Sequence, residues 1–200
     1  MKIGILGAGN VGVALGAALS KVGHTVRYGM RTPSKRPEDG LTFADAVGFA
    51  ELVVVALPYG AVEEVLAPLE LEGALLIDAT NPLGWNEGVP VLAPPKEGSA
   101  GEQIAALTGA RVVKGFNTFG AEHCAGGTIE GRPIDVHLAS DDGEALEVVS
   151  DLCDELGLRP IPVGPLYRAR ATEQLAILWI QLAIVEGRGR KLVFSLVEEN

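Results

Sequence analysis

The opening of the chain restricts its fold more than any other stretch. A strand-like apolar run from Lys2 to Leu6 leads into Gly7-Ala8-Gly9-Asn10-Val11-Gly12. Small and apolar residues in an amphipathic pattern continue as far as Val22. Strand, G-x-G-x-x-G and helix in that order form a dinucleotide-binding turn. Gly7 permits the tight turn out of the strand, Gly9 lets a pyrophosphate approach the backbone, and Gly12 lets the helix pack closely on the sheet. The anion belongs at the helix N-terminus, where unpaired N–H groups and the macrodipole favour negative charge.

The residues just after the second strand, itself expected at 24–28, indicate which dinucleotide. An NAD-type site places an Asp or Glu there to hold the ribose 2′-hydroxyl. Here the chain reads Tyr28-Gly29-Met30-Arg31-Thr32-Pro33-Ser34-Lys35-Arg36, and the first acid is Glu38. Six of the 16 Lys and Arg, but none of the 26 Asp and Glu, fall within residues 1–37. In a chain of net charge −10, that local cationic segment suits a 2′-phosphate, because guanidinium forks match phosphate geometry. NADP(H) is the expected cofactor, with Met30, Arg31, Thr32, Ser34 and Lys35 around its adenosine phosphate. A solvated basic loop is the alternative.

Two hundred residues suffice for one α/β domain with a sizeable core. The acidic balance argues against nucleic acid, which needs an extended basic surface. Cys124 and Cys153 are far apart in sequence, which suggests neither a metal site nor a redox pair. A reduced, cytoplasmic protein is expected, without a signal peptide or membrane association, since no apolar run reaches about 18 residues.

Beyond the basic loop, strands are expected at 52–57, 74–78, 111–116, 133–139 and 159–163. Helices are expected at 43–50, 60–66, 99–107, 141–156 and 169–186. Ser99-x-x-Glu102 and Asp141-x-x-Glu144 read as helix caps. Residues 82–98, rich in Pro and Gly, read as a lid-like loop carrying Trp85; 117–127 read as irregular; and 191–197 look strand-like. Strand–helix alternation predicts an α/β, Rossmann-type doubly wound, mainly parallel sheet with a long C-terminal helix and short tail. Residues 1–200 then form a single NADP-binding domain, of which 1–165 are the Rossmann core. The helix and tail at 166–200 are assigned to dimerisation. Residues 175–185 are apolar on nearly every helical face, so a homodimer is expected, unless the tail covers that helix within one chain.

Loops after successive strands gather at the carboxyl edge of such a sheet. They are 7–12, 31–36, Leu57-Pro58-Tyr59, Thr80-Asn81-Pro82 and Asn117-Thr118-Phe119-Gly120. The first two suit pyrophosphate and adenosine phosphate, the next two run along the cofactor, and the last flanks the nicotinamide. Thr80-Asn81-Pro82 also reads as a plain turn, and Asn117 as a helix cap.

Taken together, Gly7 to Gly12, Arg31 with Lys35, Asp78-Ala79-Thr80-Asn81-Pro82-Leu83, Val113-Lys114-Gly115-Phe116-Asn117-Thr118 and Val163-Gly164-Pro165-Leu166 resemble the NADPH-dependent deazaflavin (coenzyme F-420) reductase family. The cytoplasmic reductase domain of STEAP metalloreductases is similar. The resemblance spans nearly the whole chain. It implies NADPH at residues 7–12, Arg31 and Lys35 at the 2′-phosphate, and Asn117 to Ala121 beside the nicotinamide. Met30 stands where a hydroxyl residue often precedes the arginine.

Hydride transfer to a planar ring requires positioning and exclusion of water rather than a nucleophile. The 115–121 segment carries no charge, so its candidates, Asn117 and Phe119, act by positioning, with Phe116, Phe119 and Trp85 forming a flat slot for a flavin or deazaflavin. Phe116 and Phe119 as ordinary core residues are the competing reading. His123 is the one histidine suited to proton donation. Lys114, three residues before Asn117, reads either as facing the site or, as is commoner for a strand-end lysine and is expected here, as solvated. A small-substrate dehydrogenase and a non-catalytic NADPH sensor or partner-binding module are the other functions considered.

Overall fold

The computed structural model describes residues 1–36, 38–96 and 98–199. The first half contains β1 (Lys2–Leu6), α1 (Asn10–Lys21), β2 (Thr25–Gly29), β3 (Gly40–Leu41), α2 (Phe43–Phe49), β4 (Leu52–Val55), α3 (Val62–Leu66) and β5 (Leu75–Asp78). A hairpin of β6 (Leu83–Asn86) and β7 (Val89–Leu92) comes next, then α4 (Ala100–Thr108) and β8 (Arg111–Lys114). The chain continues through β9 (Thr128–Ile129), β10 (Arg132–Pro133), β11 (Asp135–Ala139), α5 (Gly143–Glu155), β12 (Arg159–Gly164) and α6 (Ala169–Ile180).

The main sheet has eight strands in the order β12-β11-β8-β5-β4-β1-β2-β3. Every pairing from β8 to β3 is parallel, whereas β11 meets β8 antiparallel and β12 runs parallel to β11. The expected mainly parallel, doubly wound α/β sheet is therefore present, with its last two strands reversed. After β1 the chain winds outward through β2 and β3, then returns to start β4 on the other side of β1. The β1/β4 boundary is thus the switch point, where the flanking loops diverge and leave a crevice.

Strand alternation distributes the core over both faces. Ile3, Ile5, Val54, Ile77 and Val113 pack with Leu15 and Leu19 of α1 and Val149 of α5. Leu6, Val53, Val55, Leu76 and Val112 pack on the other face with Ala46 of α2, Val65 of α3, Ile104 of α4 and Ala169 of α6. β4 is buried at all four positions, as its unbroken apolar run requires.

Ser99 Oγ accepts from Glu102 N and opens α4 as expected. The α5 cap lies one residue later than expected: Asp142 accepts from Ala145 N at 2.8 Å, while Asp141 Oδ1 accepts from Leu166 N at 2.9 Å. The loop expected at 82–98 is largely a hairpin, with Glu97 outside the described residues. Glu87 and Gly88, at φ 50° and 81°, make the turn that matches the twist of a two-stranded ribbon.

The long terminal helix is present, α6 continuing into a π-helical turn at Gln181–Val185. Among the described residues of the tail there is no strand, and Asn200 lies outside them. The tail's backbone groups are taken by side chains instead of a ladder. Trp179 Nε1 donates to Leu192 O at 2.6 Å, Leu196 N donates to Asp135 Oδ2 at 2.6 Å, and Arg159 donates to Leu196 O at 2.7 Å. The tail therefore covers part of α6 from within the same chain. No described helix is long and apolar enough to cross a membrane.

Candidate active site

At the end of β1, Gly7 has φ 110°, and a Cβ there would stand 2.5 Å from Ala56 O on the loop after β4. A Cβ on Gly12 would stand 2.2 Å from Gly7 O, so α1 rests on the turn at a separation only glycine allows. Gly9 is the N-cap of α1, and a Cβ on it would meet nothing within 4 Å. Open space therefore faces a helix start with no acid in its first turn, where unpaired N–H groups gather positive potential.

That space belongs to a cleft at the switch point. One part, about 410 Å³, is lined by Gly7, Ala8 and Gly9, by Met30, Arg31, Thr32 and Lys35, and by Phe43, Ala61 and Val65. The other, about 460 Å³, shares Gly9, Ala56, Leu57 and Pro58 with the first. It runs past Asn10 and Val11 to Tyr59, Gly60, Ala79, Thr80, Asn81, Leu83 and Trp85. Trp85 is 75% exposed on the β6–β7 hairpin, so the expected lid residue does line the cleft, from a hairpin rather than a loop.

The cationic segment divides into committed and available side chains. Arg36 holds both Asp39 oxygens, at 2.8 and 2.6 Å, and lies 4.1 Å over the Tyr28 ring. Arg31 and Lys35 line the cleft. Arg31 Nη2 is 3.3 Å from both Glu64 carboxylate oxygens, an exposed pair of the kind that contributes little to stability. A phosphate offers a better-matched anion to the same guanidinium.

At the opposite end, Asn81 lines the cleft, whereas Asn117, Thr118 and Ala121 do not. Asn117 supports Asn81 from behind: its Nδ2 donates to Asn81 Oδ1 at 3.0 Å, and Asn81 Nδ2 donates to Asn117 O at 3.0 Å. Gly12 and Ser34 also lie off the cavity walls. Phe119 is in the core, its ring edge-on to those of Phe116 and His123, so the slot expected there is filled by packing. His123 is turned to the tail, its Nε2 3.2 Å from Arg190 O.

Lys114, expected to be solvated, is fully buried. Its Nζ donates to Asp78 Oδ2 at 2.8 Å and to Thr80 O at 2.6 Å, and lies 3.1 Å from Glu173 Oε1. Burial pushes the Glu173 carboxyl above its ordinary range, against the pull of the Lys114 ammonium. Tyr59, on the cleft wall, donates its hydroxyl to Gln103 Oε1. Its phenol is pushed up by burial first and by the Glu173 and Asp78 carboxylates after that. Among the described residues, two buried side-chain polar atoms have no partner: Thr80 Oγ1 and Asn117 Oδ1. Tyr59 and Thr80 line the cleft from the two loops expected to run along the cofactor, whereas Ala56, just past β4, and Leu83, at the start of β6, join the wall from outside those loops.

Comparison with known proteins matches residues 2–82 to the family described as NADP oxidoreductase, coenzyme F420-dependent. A solved protein from Arthrobacter sp. FB24, provisionally described as an F420-dependent NADP-reductase, is 32% identical. That likeness covers 99% of this chain and 100% of that one, with a TM-score of 0.89. Metalloreductase STEAP3 of Rattus norvegicus is 30% identical over 187 residues, 88% of this chain, and this chain spans 36% of that protein's length. A reductive aminase from Aspergillus terreus, solved with NADPH and ethyl-5-oxohexanoate, shares the fold at 20% identity and a TM-score of 0.66, covering 93% of this chain and 62% of that one.

Proposed function

Because the chain belongs to the coenzyme F420-dependent NADP oxidoreductase family, we propose that it transfers a hydride between NADP(H) and a flavin or deazaflavin of the F420 type. The cleft carries this reading. Among the described residues, its only charged lining side chains are Arg31 and Lys35 at one end, and those lining its other half are uncharged. The open space at Gly9 and the acid-free helix start fit a pyrophosphate, and Arg31 with Lys35 fits a 2′-phosphate.

NADPH bound there supplies the hydride, and the protein supplies orientation and a dry environment. Gly7 to Gly12 and the start of α1 hold the pyrophosphate, Gly12 by allowing the helix its close approach. Met30, Thr32 and Ser34 shape the loop that presents Arg31 and Lys35. Asn81, held by Asn117, orients the nicotinamide end, with Thr118 and Ala121 in the loop behind. Leu57, Pro58, Leu83 and Trp85 form apolar walls against which a planar acceptor ring packs and from which water is excluded. A small hydroxyacid calls instead for a cation and a proton-transferring group beside the nicotinamide, and the residues lining this half carry no charge.

NADPH is expected to bind more tightly than NADH. Arg31→Ala is expected to weaken NADPH by roughly tenfold to 150-fold, about 1.5–3 kcal/mol, with a much smaller effect on NADH. Fluorescence titration checks both, and equal affinity of the wild-type protein for the two cofactors overturns the assignment. Turnover of NADPH with FMN, FAD and free deazaflavin tests the acceptor class. Binding without turnover would identify a sensor, and turnover only with hydroxyacids a dehydrogenase.

The same proposal assigns residues 166–200 to pairing with a second copy. Leu178, Ile184 and Val185 stay exposed on α6 and the turn after it, despite the cover of the tail. Light scattering at micromolar concentration is expected to give about twice the chain mass of 20.8 kDa, and a 20.8 kDa species alone refutes the dimer. A reducing, cytoplasmic setting accords with two free and buried cysteines.

A further inference from the structure

We propose that the Thr80 hydroxyl is a direct contact for the nicotinamide carboxamide, and that Lys114, Asp78 and Glu173 are positioning residues that clamp Thr80 in place. The proposal rests on the dinucleotide lying in the cleft as described above.

Thr80 is held from both sides at the start of the loop after β5. Its N–H donates to Asp78 Oδ1 at 2.8 Å, and its carbonyl accepts from Lys114 Nζ at 2.6 Å. The same ammonium reaches Asp78 Oδ2 and Glu173 Oε1, and Glu173 Oε1 accepts from Ala100 N at 3.0 Å. Strands β5 and β8, helix α6 and the start of α4 therefore converge on one backbone unit. None of the three charged residues lines the cavity; Thr80 does. Buried ion clusters are a poor source of stability, since apolar side chains of similar volume serve as well. What this cluster delivers is a Thr80 backbone that cannot rotate away from the wall.

The side chain so fixed lacks something. Thr80 is 2% exposed and its Oγ1 has no hydrogen-bond partner, an uncommon state for a buried hydroxyl. A primary carboxamide offers both an acceptor oxygen and a donor NH₂, and a hydroxyl can answer either. Thr80 stands beside Asn81, whose own amide is already oriented by Asn117. Thr80 and Asn81 are neighbours in the wall of the uncharged half of the cleft, one carrying a buried, unpaired hydroxyl and the other a fixed amide. That pattern suits a neutral amide.

Thr80→Val removes the hydroxyl while keeping the shape. Calorimetric titration with NADP⁺ and with 2′-phospho-ADP-ribose, which lacks the nicotinamide, separates contact from scaffold. The expected result is a Kd for NADP⁺ raised about three- to tenfold, the range for one neutral hydrogen bond, with 2′-phospho-ADP-ribose within about twofold of wild type. Unchanged binding of both ligands, or equal weakening of both, overturns the contact. Asp78→Asn tests the clamp and is expected to show the same ligand-selective loss. A wild-type ratio of the two affinities in a folded Asp78→Asn protein overturns the positioning role. Should that variant not fold, Lys114→Gln and Glu173→Gln decide the clamp by the same ratio. Failure of the wild-type protein to bind either ligand would instead overturn the NADP assignment itself.

Discussion

Replacing Lys114 with methionine is expected to destabilise the fold by about 3–5 kcal/mol, the range for removing one partner of a buried ion pair. The size reflects the groups left behind. Lys114, Asp78 and Glu173 have side chains with at most 1% exposure, so loss of the ammonium leaves two carboxylates facing one another out of reach of solvent. Thr80 O loses its donor as well. An exposed lysine at a strand end would give a change within about 0.5 kcal/mol, so the measurement separates the two placements cleanly. The loss is expected to shrink in acid. Burial already raises the Glu173 carboxyl above its ordinary value, and removing the cation raises it further. A group with a raised folded-state pKa contributes stability below its unfolded value and loses it as pH rises through the folded one. The variant is therefore expected to be closest to wild type near pH 4 and furthest from it near pH 7. Denaturant unfolding at both pH values checks this, and a small, pH-independent change would refute it.

Gly12→Ala is expected to cost about 1–3 kcal/mol, as overpacking does, and to weaken NADP(H) by more than tenfold. The added Cβ would stand 2.2 Å from Gly7 O and 3.2 Å from Ile5 Cγ2. The nearer atom is backbone, so relief requires α1 to move off the turn and take its N-terminal N–H groups away from the anion site. Gly9→Ala provides the contrast. Its Cβ would enter open space, so folding should be unaffected while the methyl occupies the room a pyrophosphate needs. Melting temperatures and NADPH titrations of both variants check the pair. Wild-type binding by Gly12→Ala would remove the close-packing argument.

Much of the cleft's cationic end was legible in the linear chain because its determinants are local. The β1 run, the three glycines and α1 are contiguous. The missing acid after β2 and the Arg31–Lys35 pair need no tertiary context to be seen, and both side chains do line the cleft. The same holds for Ser99, whose cap contact is three residues away. Local chemistry was less decisive where two equivalent groups adjoin: Asp141 and Asp142 are both competent caps, and the approach of Leu166 N to Asp141 settles which one opens α5.

The uncharged end of the cleft was less legible, because there placement depends on which face of a strand or loop a residue presents. Lys114 is a strand-end lysine by sequence; it becomes a buried member of an ion cluster only because β5 lies beside β8 and Glu173 of α6 reaches them. Phe119 offers an apolar ring suited equally to a slot or a core, and the packing of Phe116 and His123 around it decides for the core. Trp85 and Leu83 reach the cleft through a hairpin whose turn uses a non-glycine residue, Glu87, at positive φ, which sequence does not announce. By itself the sequence determined the strand, glycine turn and helix that open the chain, the cationic segment after β2, and the alternation that makes the sheet. Only the tertiary structure decided the reversal of β11 and β12, the return of the tail over α6, and which polar groups meet at Thr80. Periodicity and charge are properties of neighbours along the chain, whereas burial and partnership depend on segments that meet only after folding.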